Sequence, residues 1–471
     1  MAGLVSGVRA PQLPPRPDSH PVPVTRPRGL GAFLLPLPLA AVAGLGAGWS
    51  PHVALLVAAA LVSTVVLVGR VEWAALAVVG SAVFDGYLSL ISPWATDWLA
   101  VVLVLAWAVR RAQGPLHRQR LVSAAVPVLA LAGVLVVAFL VHPTGVEGLA
   151  VTAKYVELSL VMLVLADVLC GPLAPRRAAR HYVLSCVAAS ACGLVTATLT
   201  DGHRVAGPIA NADTFAFFLL AAAPLVGTVR TRPEQPVWHV WACFGVLFLA
   251  GVGTQSRPAF VALMAMIVIA VLTGLLALRH AWPLLAVVTT GVALVIAVVP
   301  LPIGQALTDP QRYSETNIAQ RNDNRVAALE MTTSSPVIGH GPAAFGLFHQ
   351  DYRHGDADPD GRDVDAAYST VLEASAELGL LGVLALYGTW LLPAVAARRR
   401  WRRDRRRLTA GTLLAFDGLL VVSLLESEQF VLPLWFLAAM LFAQGRPPRR
   451  RVPVLGGDEM DRSSGQVGVR S

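Results

Sequence analysis

Lysine is almost missing from this chain: Lys154 is the single one, so nearly all of the 37 basic side chains are arginine. Charge as a whole is scarce, at 14% of residues, while 55% are hydrophobic and the mean hydropathy is +0.62. That balance excludes an ordinary soluble domain and predicts an integral membrane protein. Cysteine is scarce too. Cys170, Cys186, Cys192 and Cys243 fall in or beside apolar runs, with neither metal-ligand spacing nor an extracellular pairing pattern, which argues against a disulfide framework and a zinc site. The net charge of +8 implies no nucleic-acid partner, because the arginines come in short clusters between apolar runs, where positive cytoplasmic loops account for them.

Extended polar segments are also rare. Apart from the termini there is one, from about Pro302 to Tyr368. Loops this long are uncommon unless functional or disordered. This one carries apolar residues at helical spacing (Val326, Leu329, then Phe345, Phe348), with Pro and Gly breakers between them, so it is expected to fold as a small cap on a membrane domain.

Taking about 17 to 25 apolar residues per crossing, the chain reads as an all-α polytopic bundle of about fourteen transmembrane helices. The runs lie near 30 to 48, 53 to 69, 73 to 91, 97 to 109, 121 to 141, 149 to 170, 182 to 199, 213 to 229, 237 to 253, 258 to 278, 281 to 300, 374 to 396, 409 to 425 and 429 to 444. Residues 1–28 are expected to be a disordered cytoplasmic tail without a cleavable signal peptide. Helices one to eleven then occupy 29–300, the external loop 301–372, the last three helices 373–445 and a second disordered cytoplasmic tail 446–471. Arginine clusters fall at alternate connections, including Arg110/Arg111, Arg176/Arg177, Arg230/Arg232 and the run from Arg398 to Arg407. With the N-terminus inside they all land inside, both termini are cytoplasmic and the large loop is external. The Arg398 to Arg407 run reads as a stop-transfer anchor against anionic membrane lipids.

Four features on the external side could carry chemistry. Arg204 sits beside glycines in a Gly/Asn-rich segment that also holds Asn211. That pattern equally fits a turn with a solvated arginine. Arg257 stands at the mouth of an apolar helix, where interfacial snorkelling is the simpler account. Lys154 and Glu157, three residues apart in an apolar run, share one helix face as a substrate-binding or mutually neutralising pair. In the loop, Arg321 and Arg325 lie on an amphipathic helix. Gly339-His340-Gly341-Pro342 follows, a turn that could offer backbone amides to an anion and His340 as a base. Asp356, Asp358, Asp360 and Gly361 begin like a calcium loop, but the twelfth position is Ala367 where a bidentate Glu is required, so no metal is expected.

These residues resemble the superfamily of O-antigen ligases and polymerases. HRVAGPIANADTFAFFLLAAAPL is similar to its arginine segment before a helix, SRPAFVALM to its Ser-Arg helix start, and RNDNRVAALEMTTSSPVIGHGPAAF with YSTVLEASAELGLLGVLAL to its large-loop pattern. The four blocks lie in order in the second half of the chain; the first half is similar in topology alone. The resemblance implies a glycosyltransferase in a bacterial cytoplasmic membrane, moving a glycan from a polyprenyl-diphosphate carrier to a hydroxyl on a glycan or lipid acceptor. It places Arg204 and Arg257 at the paired external arginines that hold the diphosphate, and Arg321 at a loop arginine.

The resemblance breaks at one position. The ligases usually have a histidine before the ELGLLG helix, and here Tyr368 stands there. With a reference pKa near 10, a tyrosine is a poor general base at neutral pH. The base stays open among His340, Asp363, Asp365 and Glu373. Guanidinium groups can stabilise a departing diphosphate without metal or cofactor, and direct displacement would invert the anomeric carbon. Ligase and polymerase remain undivided. A flippase for lipid-linked oligosaccharide is the alternative, which calls for mid-membrane charges and related halves; a membrane scaffold with a receptor-like loop is the third.

Overall fold

The computed structural model describes residues 62–113, 118–199, 204–232, 234–277, 282, 286, 315–353 and 366–445. The chain divides into two compact units, Met1–Val65 and Val66–Ser471, and everything below lies in the second. The described residues form helices and turns. The expected tails and the runs near 30 to 48 and 281 to 300 lie essentially outside them.

Elsewhere helices stand on the apolar runs. They are α1 (Val71–Ser81), α2 (Asp85–Ser89), α3 (Ala95–Ala112), α4 (Arg118–Val141), α5 (Gly145–Cys170), α6 (Pro175–Leu199), α7 (Ala212–Ala222), α8 (Trp238–Gly253) and α9 (Arg257–Leu272). After the polar segment come α12 (Thr370–Asp404), α13 (Arg407–Leu425) and α14 (Leu432–Gln444). Among the described residues, five helical stretches are long and apolar enough to cross a membrane: Val71–Ser89, Gly145–Cys170, Pro175–Leu199, Thr370–Asp404 and Arg407–Leu425. Shorter apolar helices such as Leu432–Gln444 pack among them.

The core forms around α14, whose residues from Pro433 to Leu441 are all buried. A helix apolar on every side must be covered on every side. It packs against α5, α12 and α13. Ala438 and Ala439 permit close approach, as small residues do between membrane helices. Trp435 meets Trp390 edge to face with ring centroids 5.3 Å apart, and Phe436 meets Tyr182 at 5.4 Å.

The cap, in its described part, consists of α10 (Glu315–Ser334), α11 (Ala344–Phe348) and a 3-10 turn, His349–Tyr352. Ala328, Met331, Ala344, Phe345, Ala367 and Ala376 form its small core. Leu329 and Phe348, two of the apolar residues at helical spacing, are exposed. Alanine and methionine fill the space instead.

What docks the cap is a break in α12. Gly379 adopts φ 66° and ψ −168°, a conformation available to glycine alone among the common residues. An unbroken helix would pair the Leu380 amide with the Ala376 carbonyl and the Leu381 amide with the Glu377 carbonyl. Here both carbonyls and both amides are freed, and the cap supplies their partners. The His340 amide donates to the Ala376 carbonyl (3.0 Å) and the Gly341 amide to the Glu377 carbonyl (2.8 Å). In return, the Leu380 amide donates to the Pro336 carbonyl (2.9 Å) and the Leu381 amide to the Val337 carbonyl (3.3 Å). A Cβ on Gly379 would strike the Val337 backbone, and one on Gly339 the Glu377 backbone.

Gly379→Ala should therefore lower the melting temperature of the purified protein, the backbone strain alone costing on the order of 1–3 kcal/mol. Gly388, nine residues further along the same helix, has open space around its Cα. Gly388→Ala should leave the melting temperature unchanged or raise it slightly, since alanine is favoured over glycine in a helix by about 0.5–1 kcal/mol. Equal effects of the two substitutions would refute the seam.

Candidate functional site

Cross-links between connections sort the bundle into two ends. At one, the Arg176 guanidinium donates to the Arg230 carbonyl and that of Arg405 to the Gly274 carbonyl. This is the arginine-rich end. At the other, the segment from Arg204 meets the turn after α8, the cap meets the α4–α5 connection through Thr144 and Pro342, and α7 meets the α13–α14 connection. The candidate site residues gather at this second end.

Arg204 is held from two sides. Its Nε donates to the Thr254 carbonyl (2.8 Å) and its Nη2 to Asp213 Oδ1 (2.8 Å). The neighbouring Val205 amide bonds the Gly253 carbonyl at 2.9 Å, fixing the segment. Asn211 has a structural task here. Its side-chain oxygen accepts from the amides of Asp213 (2.9 Å) and Thr214 (3.1 Å), the N-cap arrangement that starts α7. α7 in turn presents Thr214, whose hydroxyl donates to Glu428 Oε1 at 3.0 Å.

Arg257 is the first residue of α9 and is exposed. Ser256 before it is buried, caps no amide, and has a hydroxyl with no hydrogen-bond partner among the described residues. Below it lies an apolar groove between α7, α8 and α9, a cavity of about 210 Å³ lined by Leu220, Phe248, Phe260 and Leu263 among others.

Arg321 reaches from the cap to the bundle. Its Nη1 bonds Glu426 Oε1 at 3.0 Å, and its guanidinium lies over the Tyr368 ring, 4.2 Å from the centroid. Tyr368 has φ 52°, unusual for a residue with a side chain. Arg325 donates to its carbonyl at 3.3 Å, tying the strained turn to α10. Burial raises the Tyr368 hydroxyl, with Arg321 opposing and Glu426 adding to the rise, so the phenol keeps its proton at neutral pH. Tyr368 is a platform for Arg321 and cannot replace the missing histidine as a base.

Glu426 and Glu428, between α13 and α14, form the acidic side of the cluster. Neither was singled out from the sequence. The Glu426 carbonyl accepts from the Thr370 amide (3.2 Å) and hydroxyl (3.1 Å), and the Glu428 amide bonds the Thr370 hydroxyl (3.1 Å). Glu373 receives the Gln429 side-chain amide at 2.5 Å and the Ala367 amide at 3.3 Å. Burial raises Glu426 against the pull of Arg321. Burial pushes Glu428 up to about 8, helped by the charges of Glu426, Asp213 and Glu373 and opposed by the Thr214 hydrogen bond.

One expectation needs correction. The Gly339-His340-Gly341 turn is not an anion cradle: the amides of Gly339, His340 and Gly341 are donated to the carbonyls of Ser335, Ala376 and Glu377. The glycines allow close backbone approach, to α12 and, at Gly341, to the His142 carbonyl. His340, expected as a candidate base, has Nε2 3.0 Å from the Met331 carbonyl and 2.8 Å from Ser334 Oγ. A carbonyl can only accept, so Nε2 carries the hydrogen and fastens the cap to itself, which leaves Nδ1 as the ring nitrogen that could act as a base. Asp363 and Asp365 lie outside the described residues.

Lys154 and Glu157 do pair (3.0 Å), and the structure adds Asp97, whose Oδ1 is 2.6 Å from Nζ. Lys154 and Glu157 border a cavity of about 170 Å³ that reaches Thr214, the residue bonded to Glu428.

Residues 242–387 match the model of a protein family described as O-antigen ligase. The match starts in α8 and runs through the cap into α12. It includes Arg257, Arg321, Arg325, Tyr368 and the seam, and it leaves Arg204, Lys154, Glu426 and Glu428 outside. No curated protein matches the chain. The partial family match, with the membrane-length helices, supports a glycan-transferring membrane enzyme in general terms.

The raised Glu428 has a consequence for stability. A carboxyl whose folded pKa is about 8, against 4.5 ordinarily, stabilises the fold most when protonated, fully so below 4.5. That contribution falls as pH rises through about 8. The melting temperature should drop between pH 5 and 9, and Glu428→Gln should flatten the drop, read by thermal denaturation in detergent. An unaltered slope in the variant would place the titration elsewhere.

Proposed function

We propose that the protein transfers a glycan from a polyprenyl diphosphate to an acceptor hydroxyl at the external face of a bacterial cytoplasmic membrane, by direct displacement with inversion and without a metal. The single observation that supports this most is the convergence of Arg204, Arg321 and the α9 N-terminus with Arg257 at one end of the bundle, directly above an apolar groove. A helix N-terminus and guanidinium groups favour a diphosphate, and an apolar groove favours an isoprenoid. The Ser256 hydroxyl, buried at their junction without a partner among the described residues, has a donor to offer a phosphate oxygen.

In this reading Arg204 and Arg257 hold the leaving diphosphate, whose charge grows as the glycosidic bond breaks, and Arg321 assists from the cap. Their work is electrostatic, and prealigned donors of this kind are worth about 10²–10³ in rate each. The acceptor hydroxyl attacks the anomeric carbon and gives its proton to a carboxylate. Glu428 suits this role: it stands one hydrogen bond from Thr214, and a pKa of about 8 is close to the working pH, where a general base is most effective. The O-antigen ligase match supports the enzyme over the flippase and leaves ligase and polymerase undivided. Accumulation of long lipid-linked chains in cells lacking the protein would mark a ligase, and accumulation of single repeats a polymerase.

The test is reconstitution in liposomes with a radiolabelled polyprenyl-diphosphate glycan. Wild type should release polyprenyl diphosphate and label the acceptor, Arg257→Ala and Arg204→Ala should each lose about 10²-fold or more, and Glu428→Gln should lose at least that while abolishing a rate rise through pH 8. Passage of intact lipid between leaflets with no bond broken would replace the enzyme with the flippase.

A further inference from the structure

Lys154 is the one lysine of the chain, and its placement is unusual. It bridges Asp97 on α3 and Glu157 on its own helix, yet neither ion pair is packed away: Lys154 and Glu157 keep 36% and 25% of their side chains exposed, and both line the 170 Å³ cavity. Intramembrane charges that face a cavity mark a binding interior.

The lining is zoned. Asp85, Thr96, Lys154, Glu157 and Thr214 lie toward the end that holds Arg204, Arg257 and Arg321. One turn further along α5 and α7, Val161 and Phe218 form an apolar floor, with Phe430 as a side wall. Such a chamber suits a small ligand with hydroxyl groups at its edge and C–H groups on its face. At the ~30 Å³ that a water takes up in the liquid, the 170 Å³ holds about six waters, comparable with the volume of one sugar ring.

Charge selects among such ligands. Asp85 and Glu157 in the lining, with Asp97 bonded to Lys154, outnumber that lysine, whose ammonium is already shared between Asp97 and Glu157. A phosphate or carboxylate entering here meets excess negative charge. Hydroxyl and ammonium groups, in contrast, find carboxylate acceptors, and Thr96 already donates to Asp85 at 2.8 Å. The arginine site and the chamber are therefore matched to opposite kinds of ligand. Thr214 joins the two regions, because it lines the chamber and donates to Glu428.

We propose that this chamber is the acceptor subsite, holding a neutral or amino-bearing sugar ring with its nucleophilic hydroxyl directed toward Glu428. The acceptor role rests on the glycosyl-transfer function proposed above; sugar binding does not.

The test has two arms on the full-length protein. In detergent, glucosamine, glucose and glucuronate are titrated with saturation-transfer NMR as readout, against wild type, Glu157→Gln and Asp85→Asn. Glucosamine and glucose should bind, glucuronate at least ten-fold more weakly, and both variants should lose glucosamine at least ten-fold at unchanged melting temperature. Asp85 is exposed at a helix start, so its variant stays informative should Glu157→Gln fail to fold. Glucuronate bound as tightly as glucosamine, sugar retained in a folded variant, or no sugar bound by wild type overturns the chamber. In liposomes, the variants should raise the acceptor KM at least ten-fold and leave the donor KM alone. A rise in donor KM instead overturns the acceptor role. Wild type that binds glucosamine but transfers nothing defeats the glycosyl-transfer function, and the acceptor role with it, while the sugar-binding chamber stands.

Discussion

A membrane helix satisfies its backbone within itself, because lipid offers no partner for a free amide or carbonyl. α12 departs from that rule at Gly379, and the cap is what makes the departure tolerable. Four main-chain hydrogen bonds between 336–341 and 376–381 replace those the helix gives up. The cap thus completes the bundle and is more than a lid resting on it. Its position is fixed to within hydrogen-bond tolerance, and that lets Arg321 on α10 meet Glu426 after α13 at 3.0 Å.

From this seam the arrangement of charge follows. The arginines approach from three separate places: the segment before α7, the start of α9 and the cap. The acids that meet them, Asp213 and Glu426, come from α7 and the α13–α14 connection. Each guanidinium with a described acid partner keeps about a third of its side chain exposed. A pair of this kind is oriented without being closed off, which is what recognition of a further anion requires. The pair of Arg398 with Asp417, at the opposite end, has its acid 8% exposed and ties α12 to α13.

The helices were legible because hydropathy is a one-dimensional property: a run such as 149 to 170 is apolar whatever surrounds it, and α5 occupies it. Arg204, Arg257 and Arg321 stood out because arginine is sparse at connections on their side. Their partners did not, since Glu426 lies 105 residues from Arg321 and the pairing exists only in the fold. Lys154 and Glu157 could be paired by helical spacing, whereas Asp97, 57 residues away, could not. The Gly339-His340-Gly341 turn shows the limit most clearly. Two glycines around one residue promise close backbone approach, but the approach of what is a tertiary fact, and here it is the broken helix. The motif and the ELGLLG stretch, separate in sequence, are the two sides of a single joint.

Because that joint is made of main-chain atoms, it constrains few identities. Gly339, Gly341 and Gly379 are bound by geometry, while the side chains of Pro336, Val337, Ile338 and His340 contribute nothing to the four bonds themselves. The cap surface can therefore drift, acquiring new charges or aromatic residues, without loosening its hold on the bundle. A scaffold attached this way separates the part of the protein that must stay constant from the part that can be retuned, so a change of specificity need not be accompanied by a change of architecture.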